Sequence, residues 1–67
     1  MIFKKRDCVA VDGSRIGRVD CHFYEGGRRC YVVQFGADGP FEQVQDDRLR
    51  AASKNEEDWL EGLRLHP

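Results

Sequence analysis

From Ile16 to Tyr24 the chain alternates, with Val19, Cys21 and Phe23 on one side and Arg18, Asp20, His22 and Tyr24 on the other. A period of two sustained over that length predicts a half-buried β-strand. Glu25-Gly26-Gly27-Arg28 follows, and a central Gly-Gly suits a two-residue type I′ or II′ turn whose twist matches the flanking strands. A turn symmetric about Gly26-Gly27 places Phe23 opposite Cys30, Cys21 opposite Val32 and Val19 opposite Gln34. The reverse face then holds His22 with Tyr31, Tyr24 with Arg29, Asp20 with Val33 and Arg18 with Phe35. That face mixes aromatic, apolar and cationic groups, which predicts more than a solvated surface.

The remaining segments extend the pattern. Cys8-Val9-Ala10-Val11 has strand composition and ends at the turn formers Asp12-Gly13-Ser14. Gly36-Ala37-Asp38-Gly39-Pro40 breaks the third strand, and Phe41-Glu42-Gln43-Val44-Gln45 alternates again. Asp46-Asp47-Arg48-Leu49 reads as one helical turn leading into a last short strand, Arg50-Ala51-Ala52. Five short strands with a tight central hairpin predict a mostly β fold, a small bent barrel over about residues 7–52. Ser53-x-x-Glu56 is a capping box, and the acids after it complement a helix dipole, so a helix is expected over about residues 55–64. A helix this short is marginal alone, so the side bearing Trp59, Leu60 and Leu63 must dock, on its own barrel or on a partner.

At 67 residues and 7.7 kDa the chain is a single domain, residues 1–67, and its 40% hydrophobic and 34% charged composition is that of a soluble globular protein. A core of this size is thin, so an oligomeric interface would stabilise it. No apolar run approaches the ~20 residues that span a bilayer, and the opening Met-Ile-Phe-Lys-Lys-Arg leads into no signal-peptide stretch; a cytoplasmic protein without membrane contact is expected. Cys8, Cys21 and Cys30 are odd in number and show no Cys-x-x-Cys spacing, which predicts reduced, buried thiols and neither a disulfide framework nor a metal site.

The net charge of −1 hides an asymmetry: residues 1–36 carry seven Lys/Arg against four acids, and residues 37–67 four against eight. Arg15, Arg18, Arg28 and Arg29, with stacking from Tyr24 and Tyr31, form a candidate nucleic-acid surface. His22 beside Asp20 and Tyr24 is a candidate proton-transfer group. No nucleotide loop, paired-carboxylate motif or Ser-His-Asp arrangement completes a catalytic site, so neither catalysis nor a cofactor is read from the residues themselves.

Residues 7–52, and especially "YVVQF" followed by "FEQVQDDRLRAA", resemble the bacterial SH3-like barrels, in which a strand, a helical turn and a plugging leucine, here Leu49, end the barrel. The resemblance implies a five-stranded SH3-like or Tudor-like barrel. It also implies a binding module of the kind carried by plasmids, phages and integron cassettes. A more distant resemblance is to the plasmid-borne type II dihydrofolate reductases, in which four SH3-like chains surround one pore that binds NADPH and dihydrofolate. With Tyr31 set on that family's strand tyrosine, Gln43 meets the motif glutamine, Val44 the isoleucine and Gln45 the tyrosine, while Glu42 stands where the motif has valine.

Three functions are therefore expected in order. The first is a non-catalytic module that binds a protein or itself through Tyr24, Tyr31, Phe35, Trp59, Leu60 and Leu63. The second is a nucleic-acid-binding barrel. The third is a reductase-like tetramer using NADPH, with Gln43, Val44 and Gln45 on the ligand strand.

Overall fold

The computed structural model describes residues 2–36 and 38–65, with side chains as far as Gly62 on the C-terminal helix. Strands β1 (Cys8–Val11), β2 (Arg15–Glu25), β3 (Arg28–Phe35), β4 (Phe41–Gln45) and β5 (Leu49–Ala51) form one antiparallel sheet in the order β4-β3-β2-β1-β5. A single 3₁₀ turn at Asp46–Arg48 precedes β5, and helix α1 (Lys54–Leu65) follows it. The mostly β architecture with a short C-terminal helix is the one the hydrophobic pattern predicts.

The β2–β3 turn has Gly26 and Gly27 at φ 59° and 78°, the pair of positive values that a type I′ turn requires. Next to it the register is as expected, with Phe23 opposite Cys30, His22 opposite Tyr31 and Cys21 opposite Val32. Beyond Cys21 it shifts. Val19 pairs with Val33, Arg18 with Gln34 and Gly17 with Phe35, and Asp20 is the additional residue of a β-bulge. The expected pairs Val19–Gln34, Asp20–Val33 and Arg18–Phe35 are therefore each displaced by one position. Because side chains alternate with period two, one inserted residue exchanges the two faces of the strand. Val19 joins Val33 and Tyr31 on the inner face, while Cys21 and Phe23 move to the outer one.

Both edges of β2 hold the bulge. On the β3 side, a Cβ at Gly17 would lie 2.6 Å from the Gln34 carbonyl oxygen and 2.7 Å from Val33 Cγ1, so only glycine permits this approach. On the other side, the Val19 amide donates to the Asp7 carbonyl (3.0 Å) and the Arg6 amide donates to the Val19 carbonyl (2.6 Å).

The inner face makes the main core: Val9 and Val11 of β1, Val19 of β2, Tyr31 and Val33 of β3, and Val44 of β4. The sheet curls far enough that Leu49, at the start of β5, packs against the same cluster as Val44 from the opposite end of the strand order. Phe3, which no periodic pattern marked, closes the cluster at 6% exposure. Its ring meets Tyr31 edge-on at 5.6 Å and 73°, and its amide donates to the Tyr31 hydroxyl at 3.1 Å. That bond gives the buried Tyr31 hydroxyl a donor and the buried Phe3 amide its acceptor.

Part of the outer face is covered by α1, whose Leu60 packs on Ala10, Ile16 and Cys8. The capping box forms: the Ser53 amide donates to Glu56 Oε1 (2.8 Å) and the Glu56 amide to Ser53 Oγ (3.2 Å). All three cysteines are free, but only Cys30 is buried. Cys8 is half-buried and Cys21 exposed, which corrects the expectation of three enclosed thiols; the bulge turns Cys21 outward.

Replacing Tyr31 by Phe keeps the ring and leaves the buried Phe3 amide without its acceptor, so Tyr31→Phe is expected to lower stability by about 1–3 kcal/mol in urea unfolding. Tyr31→Ala, which also opens a cavity, should lower it by about 3–5 kcal/mol. A Tyr31→Phe protein as stable as the parent would show that the hydrogen bond contributes nothing.

Candidate functional site

The sequence pointed to an exposed aromatic face of Tyr24, Tyr31 and Phe35, and the structure separates them by depth. Tyr31 is 0% exposed at the centre of the inner core, so it is not available to a partner. The three share the inner side of the sheet, but the middle of that side is where the sheet curls over its own core. Phe35, half-buried, packs against the core edge and carries the Arg15 guanidinium 4.5 Å above its ring. Tyr24 lies past the core, near the hairpin turn, and is 61% exposed.

The helix residues also part company. Leu60 is 1% exposed and docks on its own sheet, whereas Trp59 is 56% exposed; Leu63 lies outside the residues whose side chains are described. Trp59, Asn55 and Glu56 with Ser14 and Ile16 line an open groove of about 270 Å³ between α1 and the β1–β2 turn.

The arginines proposed for nucleic acid do not form one surface. Arg15 donates to Glu42 (2.6 Å) beside Phe35. Arg18 donates to the Arg6 carbonyl (2.9 Å) and pairs with Glu57 (3.6 Å) and Glu61, tying α1 to the sheet. Arg28 stands 3.9 Å from Asp47 on the outer side of the hairpin. Arg29 has no carboxylate partner among the described residues; its guanidinium is 5.2 Å over the Tyr24 ring and donates to the Tyr24 hydroxyl. Arg48 joins Asp12 (2.5 Å), and Arg50 joins Glu56 (2.8 Å). The Tyr24 hydroxyl, and to a lesser degree that of Tyr31, raises the Arg29 pKa further, and the Arg48 guanidinium holds the Asp12 carboxyl below its usual range.

The feature that the sequence pattern misplaced is the outer side of the hairpin and β4. With the bulge in place, Cys21 and Phe23, Cys30, Val32 and Gln34, and Phe41, Gln43 and Gln45 lie on one side of three adjacent strands. None of these eight residues is charged, in a chain that is 34% charged; the charged residues on the same side, Arg18 opposite Gln34 and Glu25 opposite Arg28, stand at the two ends of the group. Most of it is open to solvent: Phe41 is 57% exposed, Cys21, Gln43 and Gln45 are exposed, and Phe23, Val32 and Gln34 are half-buried, while Cys30 between them is buried. Gln43 and Gln45 thus project together as their spacing implied, while Val44 between them is fixed in the inner core at 1% exposure. The signal for this face is present in the sequence, but only a register that includes the bulge assembles it.

Other chemistry is sparse. His22 is exposed and touches Tyr24 and Tyr31 through its ring, with centroids 6.5 and 6.1 Å away. Burial raises the Cys8 pKa, opposed by Arg18, so this thiol is a poor nucleophile at neutral pH. Among the described residues no group of three or more His, Cys, Asp or Glu is placed to hold a metal ion, and no helix is long and apolar enough to cross a membrane. Comparison with family models, with curated proteins and with solved structures finds no match for this chain. The geometry of its own surfaces therefore has to carry the functional reading.

Glu56 joins the site to the fold. Arg50 donates to both its carboxylate oxygens at 2.8 Å, and with the Ser53 backbone holds its pKa at about 2 instead of the usual 4.5. A lowered folded-state pKa contributes stability above the unfolded value, which is lost as pH falls from about 4.5 towards 2. The helical circular dichroism signal is expected to decay in that window, and Glu56→Gln should reduce the acid loss. An unchanged acid limb in Glu56→Gln would remove this link.

Proposed function

We propose that this chain is a non-catalytic binding and assembly module, a small SH3-like barrel that associates with a second copy of itself through the uncovered outer face of β2, β3 and β4. The observation that carries the reading is the charge-free surface built by Phe23, Val32, Phe41 and their glutamine and cysteine neighbours. Interface centres are depleted of charge and enriched in aromatic residues, and this face has that composition in an otherwise charge-rich chain. Its borders are charged: Glu25 and Arg28 at the turn end, and Arg18 with Glu61 at the helix end. A dry centre with a polar rim is the anatomy of a specific contact, and a second copy would enlarge a thin core. Three free thiols suit a reducing, cytoplasmic setting. Trp59 and its groove belong to the helix that covers another part of the outer face, around Ala10 and Ile16.

Light scattering over micromolar to millimolar concentrations is expected to show a concentration-dependent dimer or higher even-numbered assembly. Val32→Glu places a charge in the centre of the face without touching the inner core. It should weaken association at least tenfold, about 1.4 kcal/mol. A parent chain that stays monomeric throughout, or an assembly indifferent to Val32→Glu, would refute the reading.

One observation favours a second reading, the reductase-like tetramer. Gln43 and Gln45 project from the face that assembly would bring together, so symmetry would gather several copies around one cleft. Under this reading a tetramer oxidises NADPH in the presence of dihydrofolate and Gln43→Ala abolishes the activity; a dimer without NADPH oxidation would dismiss it.

A further inference from the structure

Arg29 differs from the arginines around it. Arg15, Arg18, Arg28, Arg48 and Arg50 each have a carboxylate within 4.0 Å, whereas Arg29 has none among the described residues. Its Nε donates to the Tyr24 hydroxyl at 3.1 Å, Nη2 donates to the same oxygen, and Nη1 forms no such bond among the described residues. The guanidinium is thereby held in place with donor capacity and charge to spare. Tyr24 remains 61% exposed although the guanidinium lies 5.2 Å over its ring. One position from Arg29 on the same side of the hairpin, His22 is also exposed, its ring 6.5 Å from that of Tyr24.

The entering chain adds charge along the β2 edge. Arg6 donates its amide to Val19, next to the bulge, and Lys4, Lys5 and Arg6 form no ion pair among the described residues. The acids in this region are Asp7, whose Oδ2 accepts from the Lys4 amide (2.8 Å), Asp20 at the bulge, and Glu25, which is opposite Arg28 on the other side of the hairpin.

We propose that the inner side of the β2–β3 hairpin, beyond the core, is a contact site for single-stranded nucleic acid, with Tyr24 as a base-stacking platform and Arg29 as the phosphate contact. An exposed ring beside an unpaired, pre-oriented guanidinium offers the two interactions that single strands require. A duplex hides its base faces from such a platform, and an acidic peptide would use the charge without the ring. The site is on the opposite side of the sheet from the face proposed for self-association and stands independently of it.

The test uses the full chain and fluorescein-labelled oligothymidylate, oligouridylate, a DNA duplex of equal length and an oligoglutamate, followed by anisotropy at several salt concentrations. The single strands are expected to bind at low salt and more tightly than the duplex or oligoglutamate. Tyr24→Ala should weaken binding at least fivefold, and Tyr24→Phe should retain most of the stacking. Arg29→Ala should reduce the slope of log affinity against log salt by about 0.7, the value for one lost phosphate contact on a single strand. Both positions lie outside the core, and circular dichroism confirms that the variants fold. No binding at low salt, equal binding of oligoglutamate, or indifference to both Tyr24→Ala and Arg29→Ala would overturn the proposal.

Discussion

The additional residue at Asp20 decides which side chains of β2 reach the core. From the turn back to Cys21 the hairpin follows the symmetric register, and from Val19 onward it runs one position out of step. The bulge reconciles two demands. The Gly-Gly turn fixes His22 against Tyr31, and the core needs Val19 beside Val33, yet a regular strand would place Val19 on the opposite side from Tyr31. Gly17 allows the close strand approach behind the bulge, and the hydrogen bonds of Val19 with Asp7 and Arg6 hold its free edge.

That phase change divides the hairpin into two unlike surfaces. Inside, Tyr31 becomes the anchor of the core, with Phe3 against its ring and on its hydroxyl, while Tyr24 and Arg29 continue the same side past the end of the core. Outside, Cys21 and Phe23 join Val32 and the glutamines of β4 in a surface whose middle is uncharged and whose ends carry Arg18, Glu25 and Arg28. Had β2 been regular, Val19 would have lain outward among these residues and the core would have lacked it.

Electrostatics follow the same division. Arg18 and Arg50 connect α1 to the sheet through Glu57, Glu61 and Glu56, and Arg48 with Arg15 joins Asp12 and Glu42 across the curled sheet. These pairs are solvent-accessible and individually weak, so they orient the helix and sheet edges more than they stabilise them. Ion pairs also occupy Arg15, Arg18 and Arg28 of the first half of the chain, whereas Lys4, Lys5, Arg6 and Arg29 form no ion pair among the described residues.

Local chemistry determined much of this protein directly from sequence. Gly26-Gly27 set the turn, Ser53 and Glu56 capped the helix, and alternation marked β2 and β4, because each depends on neighbours a few residues apart. The sequence also placed Gln43 and Gln45 together and singled out Tyr24 and Arg29 as partners. Tertiary structure decided what lay beyond that range: the bulge at Asp20, the burial of Tyr31, the docking of Leu60 in cis and the recruitment of Phe3. Periodicity assigns residues to alternate sides of a strand, but which side is interior, and where the alternation must break, depends on distant segments competing to fill one small core.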